Sequence, residues 1–89
     1  MNELETAREI INEVDAEMAR LFEKRMYASE LVAKYKKEHG LSILDSAREN
    51  EVIRKNGQMI KNTVYQEYYT EFYRKVKSIF SKSPHSDKL

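Results

Sequence analysis

Cysteine is absent from this sequence of 89 residues, which excludes disulfide scaffolds, thiolate metal sites and cysteine nucleophiles. Glycine occurs twice and proline once, too little punctuation for a β protein with many turns. Neither sign of charge dominates: 16 Lys+Arg stand against 15 Asp+Glu, a formal net charge of +1. A general nucleic-acid binder needs a strong positive excess, so that class is set aside. Apolar runs are short, which leaves no membrane span and no signal-peptide core. The opening Met1-Asn2-Glu3-Leu4 runs straight into a structured pattern, and the expected location is the cytoplasm.

What is present is helical. With 40% hydrophobic and 35% charged residues, the chain has enough apolar matter for one small core and none to spare for a second. From Leu4 to about Lys37 there is no glycine or proline, and apolar residues recur every seven positions. One stripe reads Leu4, Ile11, Met18, Arg25, Val32; a second reads Ala7, Val14, Leu21, Ala28, Tyr35. That period marks a long helix packed in a bundle or coiled coil. It should end at His39-Gly40, where glycine supplies a left-handed cap. A second helix is expected from Asp45 or Ser46 to about Asn56-Gly57, with Ser46 and Glu49 in capping-box spacing. A third runs from roughly Asn62 to Ser81. Met59-Ile60 fit either the second helix or the connection. Residues 1–82 thus form the helical domain, and 83–89 a polar, frayed tail.

The first helix is too long for a lone small domain. About 34 residues rising ~1.5 Å each give roughly 50 Å, whereas a compact chain of this size is only about 30 Å across. The stripe would overhang its own partners and stay wet, so an intertwined homodimeric bundle is expected.

Arg25 interrupts the apolar stripe, and such an arginine is costly without an anion or carboxylate to meet it. Lys36 is eleven residues on, within roughly 20° of the same face and some ~16 Å along the axis. Two such cations can bracket a small dianion; on spacing alone, snorkelling or salt-bridged interface residues are the plainer account. Arg8 lies about 25 Å from Arg25 along one helix, out of reach of a shared small ligand unless it is donated by the other copy of a dimer. A surface pair with Glu5 or Asp15 is the plainer account. Asp45, Arg48 and Glu49 open the second helix, whose N-terminal N–H groups favour anions; plain capping explains the same residues. On the third helix, Tyr65, Phe72, Tyr73 and Val76 read as packing against the long helices.

Taken together, Arg8, Asp15, Arg25, Lys36, Asp45, Arg48 and Glu49, without a gap, resemble the all-α AroQ class of chorismate mutases. The resemblance spans about Leu4 to Val52. It implies conversion of chorismate to prephenate, a unimolecular Claisen rearrangement with no cofactor, no metal and no nucleophile. The implied catalytic residues are Lys36 and Arg25. By similarity, Arg25 and the partner's Arg8 hold carboxylates, and Lys36 contacts the ether oxygen and a carboxylate. Asp45 (through its backbone) and Glu49 hold the ring hydroxyl, while Arg48 supports the anion-binding wall. The implied partners are chorismate and a second copy of the chain, without nucleic acid or membrane. His39 and His85 read as solvated bystanders.

The third helix departs from the family's pattern. Phe80 and Pro84 fall where the family usually places a small hydroxyl residue and a second donor to the ether oxygen. Ser81 with His85, or Ser78 with Lys82, has the spacing but not the face. Losing one such donor typically costs about 10²–10³-fold in rate. Two alternatives therefore accompany the mutase reading: an isochorismate pyruvate-lyase-like enzyme, or a non-catalytic regulatory or scaffold module that kept the cationic clamp.

Overall fold

The computed structural model describes residues 2–42 and 46–80, with side chains through residue 79. Among them are three helices and no strand: α1 (Glu3–Glu38), α2 (Ser46–Gly57) and α3 (Thr63–Phe80).

Each boundary has a local cause. Asn2 caps α1, its Oδ1 accepting from the Glu5 N–H at 2.8 Å, with Glu3 and Glu5 in the first turn and Lys36 and Lys37 in the last, the order the helix dipole favours. At the other end Gly40 has φ +66°, the left-handed conformation that glycine adopts without a Cβ clash. There the N–H of Leu41 bonds the Lys36 carbonyl at 2.8 Å and that of Gly40 the Lys37 carbonyl at 3.3 Å, a Schellman stop. Met59 and Ile60 belong to the connection: their N–H groups close turns onto the carbonyls of Asn56 and Gly57, each at 3.0 Å. The Gln66 side chain then clamps the Ile60 carbonyl at 2.8 Å. Asn62 starts α3, its Oδ1 accepting from the Val64 N–H at 3.0 Å.

The helices share little core. Among the described residues, Ala33 and Tyr73 are the buried hydrophobic ones, and α2 packs on α3. On α1 the half-buried residues are Arg25, Met26, Ser29, Glu30 and Lys36, which with Ala33 trace one helical face. Every residue from 2 to 24 is exposed. The 36 residues of α1, at ~1.5 Å each, match the longest dimension of the molecule, 55 Å. The radius of gyration is 16.2 Å, against about 12 Å for a compact chain of this size. The expected overhang is present: Leu4 is 57% exposed and Ile11 54%.

Packing on α3 follows its inner face through Gln66, Tyr69, Tyr73 and Val76. Tyr65 and Phe72, read from sequence as packing residues, are exposed in the single chain. Round the helix they lie about 80° and about 100° from Tyr73, on the flank of the packed face.

Candidate active site

Arg25 is the first residue of α1 to leave bulk water, half-buried after the exposed run 2–24. Its Nη2 donates to the Tyr73 hydroxyl at 3.1 Å and its Nη1 to Ser29 Oγ at 3.4 Å. The guanidinium carbon also sits 5.7 Å from the centre of the Tyr73 ring, within cation–π range. The interruption of the apolar stripe is thus tolerated because the charged head meets two hydroxyls and an aromatic face. Both hydroxyls are neutral, so these bonds fix direction without cancelling charge.

Lys36 is half-buried on the same side of α1, in its last turn. Its own carbonyl accepts from Leu41, so the turn that stops the helix is built on this residue. Ser29 stands between the two cations on that face.

At the start of α2, Glu49 is half-buried and Arg48 exposed. Arg48 Nη1 lies 3.8 Å from Glu51 Oε1, both side chains more than half exposed; such a pair adds little to stability. α2 begins at Ser46, and Asp45 lies outside the described residues. Pro84, Ser81, Lys82, His85 and the side chain of Phe80 lie outside them too.

Arg8 is exposed on the overhanging half of α1. Among the described residues, no ion pair joins it to Glu5 or Asp15. One chain therefore groups Arg25 and Lys36 on one half-buried face and leaves Arg8 apart. His39 folds back on its own helix, Nδ1 2.8 Å from the Tyr35 carbonyl and its ring stacked on Tyr35 at 4.0 Å. No group of three or more His, Cys, Asp or Glu side chains among the described residues is placed to hold a metal ion, and no helix there is long and apolar enough to cross a membrane.

Neither partner of Arg25 was read from the sequence as such. Ser29 is four residues from Arg25, the spacing at which helical side chains meet. Tyr73 carried a weaker signal: a buried phenol usually finds a hydrogen-bond partner.

The described residues form an all-α chain with two cations drawn onto one face of its long helix. Residues 7–83 match the model of the family described as chorismate mutase type II. The chain belongs to that family, and its enzyme class is that of the chorismate mutases, which are isomerases. The match extends past the resemblance over about Leu4 to Val52 and through the whole of α3. Comparison with curated proteins and with solved structures gives no significant match.

Proposed function

We propose that the chain acts as a homodimeric chorismate mutase of the cytoplasm, serving phenylalanine and tyrosine biosynthesis, with two equivalent sites that each draw on both copies. The observation that carries this reading is the pair Arg25 and Lys36, half-buried on one face of α1, in a chain of the chorismate mutase type II family.

The chemistry asks for little beyond shape and charge. One ether C–O bond breaks and one C–C bond forms within a single dianionic molecule. No group of the protein need become covalently attached. Holding the substrate in its compact, reactive conformer removes an entropic part of the barrier. Cations aimed at the ether oxygen stabilise the negative charge that grows there. In this reading Arg25 and Arg8 of the partner subunit clamp the carboxylates, the guanidinium fork matching carboxylate geometry. Lys36 donates to the ether oxygen and a carboxylate. Glu49 and the Asp45 backbone take the ring hydroxyl, and Arg48 supports the anion-binding wall.

The exposed apolar half of α1 supports the dimer. Leu4, Ile11, Val14, Met18 and Leu21 are all 46% exposed or more, a continuous face that a second copy would cover. That arrangement would also carry Arg8 to the other subunit's Arg25, which one chain keeps about 25 Å away.

The deciding experiment is a spectrophotometric assay of chorismate loss with prephenate identified as product, run beside isochorismate. Prephenate from chorismate is expected. Pyruvate from isochorismate without prephenate would transfer the chain to the lyase reading. Tight binding of a bicyclic transition-state analogue without turnover would mark a non-catalytic module.

A further inference from the structure

Tyr73 is one of two buried hydrophobic residues among those described, 8% exposed. Its ring packs beside Tyr69, centroids 6.2 Å apart. Core filling accounts for the ring, but a phenylalanine would fill the same space. The hydroxyl is the atom that needs a reason, and it accepts from Arg25 Nη2 at 3.1 Å.

We propose that Tyr73 is a positioning residue for Arg25, its phenol holding the guanidinium in the orientation that meets a substrate carboxylate. The inference rests on the mutase reading of the site. Arginine has a long stem with many rotamers, and ordering it at the moment of binding costs affinity. A bond from a charged donor to a neutral oxygen is stronger than one between neutral groups, so Tyr73 can set the head in advance. Ser29 at 3.4 Å constrains the other terminal nitrogen from the same helix. Together the two bonds use two of the five N–H donors that a guanidinium carries. The anchor on α3 is the firmer one, because Tyr73 is buried and Ser29 only half-buried.

The test is Tyr73→Phe in the full chain, which keeps the ring and deletes the acceptor. The expected result is a kcat/KM for chorismate lowered about tenfold, since the clamp that grips the carboxylates also holds the reactive conformer. The helical circular dichroism signal should be kept. In ¹⁵N–¹H spectra, the Arg25 Nη signals should be resolved in the wild type and averaged by rotation in the variant. An unchanged kcat/KM in an active enzyme would overturn the inference and leave the mutase reading standing. A wild type that does not convert chorismate would overturn the mutase reading, and the Nη signals would then decide the Tyr73–Arg25 link alone. Should Tyr73→Phe fail to fold, the wild-type spectrum decides: resolved Arg25 Nη signals support the link, and averaged ones overturn it.

Discussion

Arg25 Nη2 bonds the hydroxyl of Tyr73, 48 residues later in the chain, and so ties α1 to α3 at the point where α1 enters the packed half of the molecule. N-terminal to Arg25, every described residue is exposed; C-terminal to it, Ser29, Ala33 and Lys36 are drawn in. The candidate site thus lies at the edge of the single chain's core. A site at such an edge is open to a second copy, and the predictions below separate what one chain supplies from what two must.

Ile11→Glu tests the wet face. Ile11 is 54% exposed in the single chain, where a glutamate would be harmless. In a dimer that covers the face, each copy forfeits the burial of one isoleucine, about 2 kcal/mol, and must also place a carboxylate in an apolar interface. Two copies by symmetry weaken association at least about 10³-fold. Sedimentation velocity should show the variant as a single subunit and the wild type as two. Equal sedimentation of both would mean that this face is not the interface.

Much of this architecture was legible in the sequence, for reasons that can be named. The seven-residue period from Leu4 placed α1, and Gly40 its end, because both signals are local to the backbone. The reading of Leu4 to about Lys37 became Glu3–Glu38. The overhang followed from helix length alone. The expected end of α2 at about Asn56-Gly57 is where the helix stops, but the place of Met59-Ile60 was not legible: what assigns them to the connection is a pair of turn bonds and the Gln66 clamp on Ile60. The exposure of Tyr65 and Phe72 was not legible either, since periodicity shows that a face is apolar but not which chain covers it. Tyr73 escaped notice as a partner because its contact with Arg25 is tertiary.

Gly40→Ala probes the stop of α1. A Cβ at Gly40 would meet no atom within 4 Å, so sterics with neighbours are not the issue; the φ of +66° is. Holding alanine in the left-handed region costs roughly 1–2 kcal/mol. For a domain of this size, that lowers the melting temperature by about 4–8 °C for each kcal/mol. Gly40→Asn should recover part of the loss, because asparagine tolerates this conformation better. A melting temperature unchanged in Gly40→Ala would mean that the turn after α1 re-forms in another shape.

Lys36→Ala separates chemistry from folding. The side chain is half-buried, but the bonds that close the helix use its backbone carbonyl, which alanine retains. Helix content and association should therefore survive. If the ammonium meets the ether oxygen, kcat falls by about 10³-fold or more, as expected for a lost donor at the site of growing charge. Stopped assays of prephenate at saturating chorismate measure this directly. A near-normal kcat would take Lys36 out of the mechanism.

Mixing Arg8→Ala chains with Arg25→Ala chains tests whether the site is shared. Within one chain the two arginines are seventeen residues apart on a straight helix, about 25 Å, so they cannot grip one small dianion. In a shared site, a dimer formed from one chain of each kind has one site that keeps both arginines and one that lacks both. Random exchange makes half of the dimers mixed, so about a quarter of all sites become whole. Each variant alone should be nearly inactive, and the mixture should rise to about a quarter of the wild-type rate. Exchange has to be verified by native mass spectrometry with one chain isotope-labelled. If mixed dimers form in that proportion and the rate stays at the level of the separate variants, then Arg8 and Arg25 do not complete one another's site.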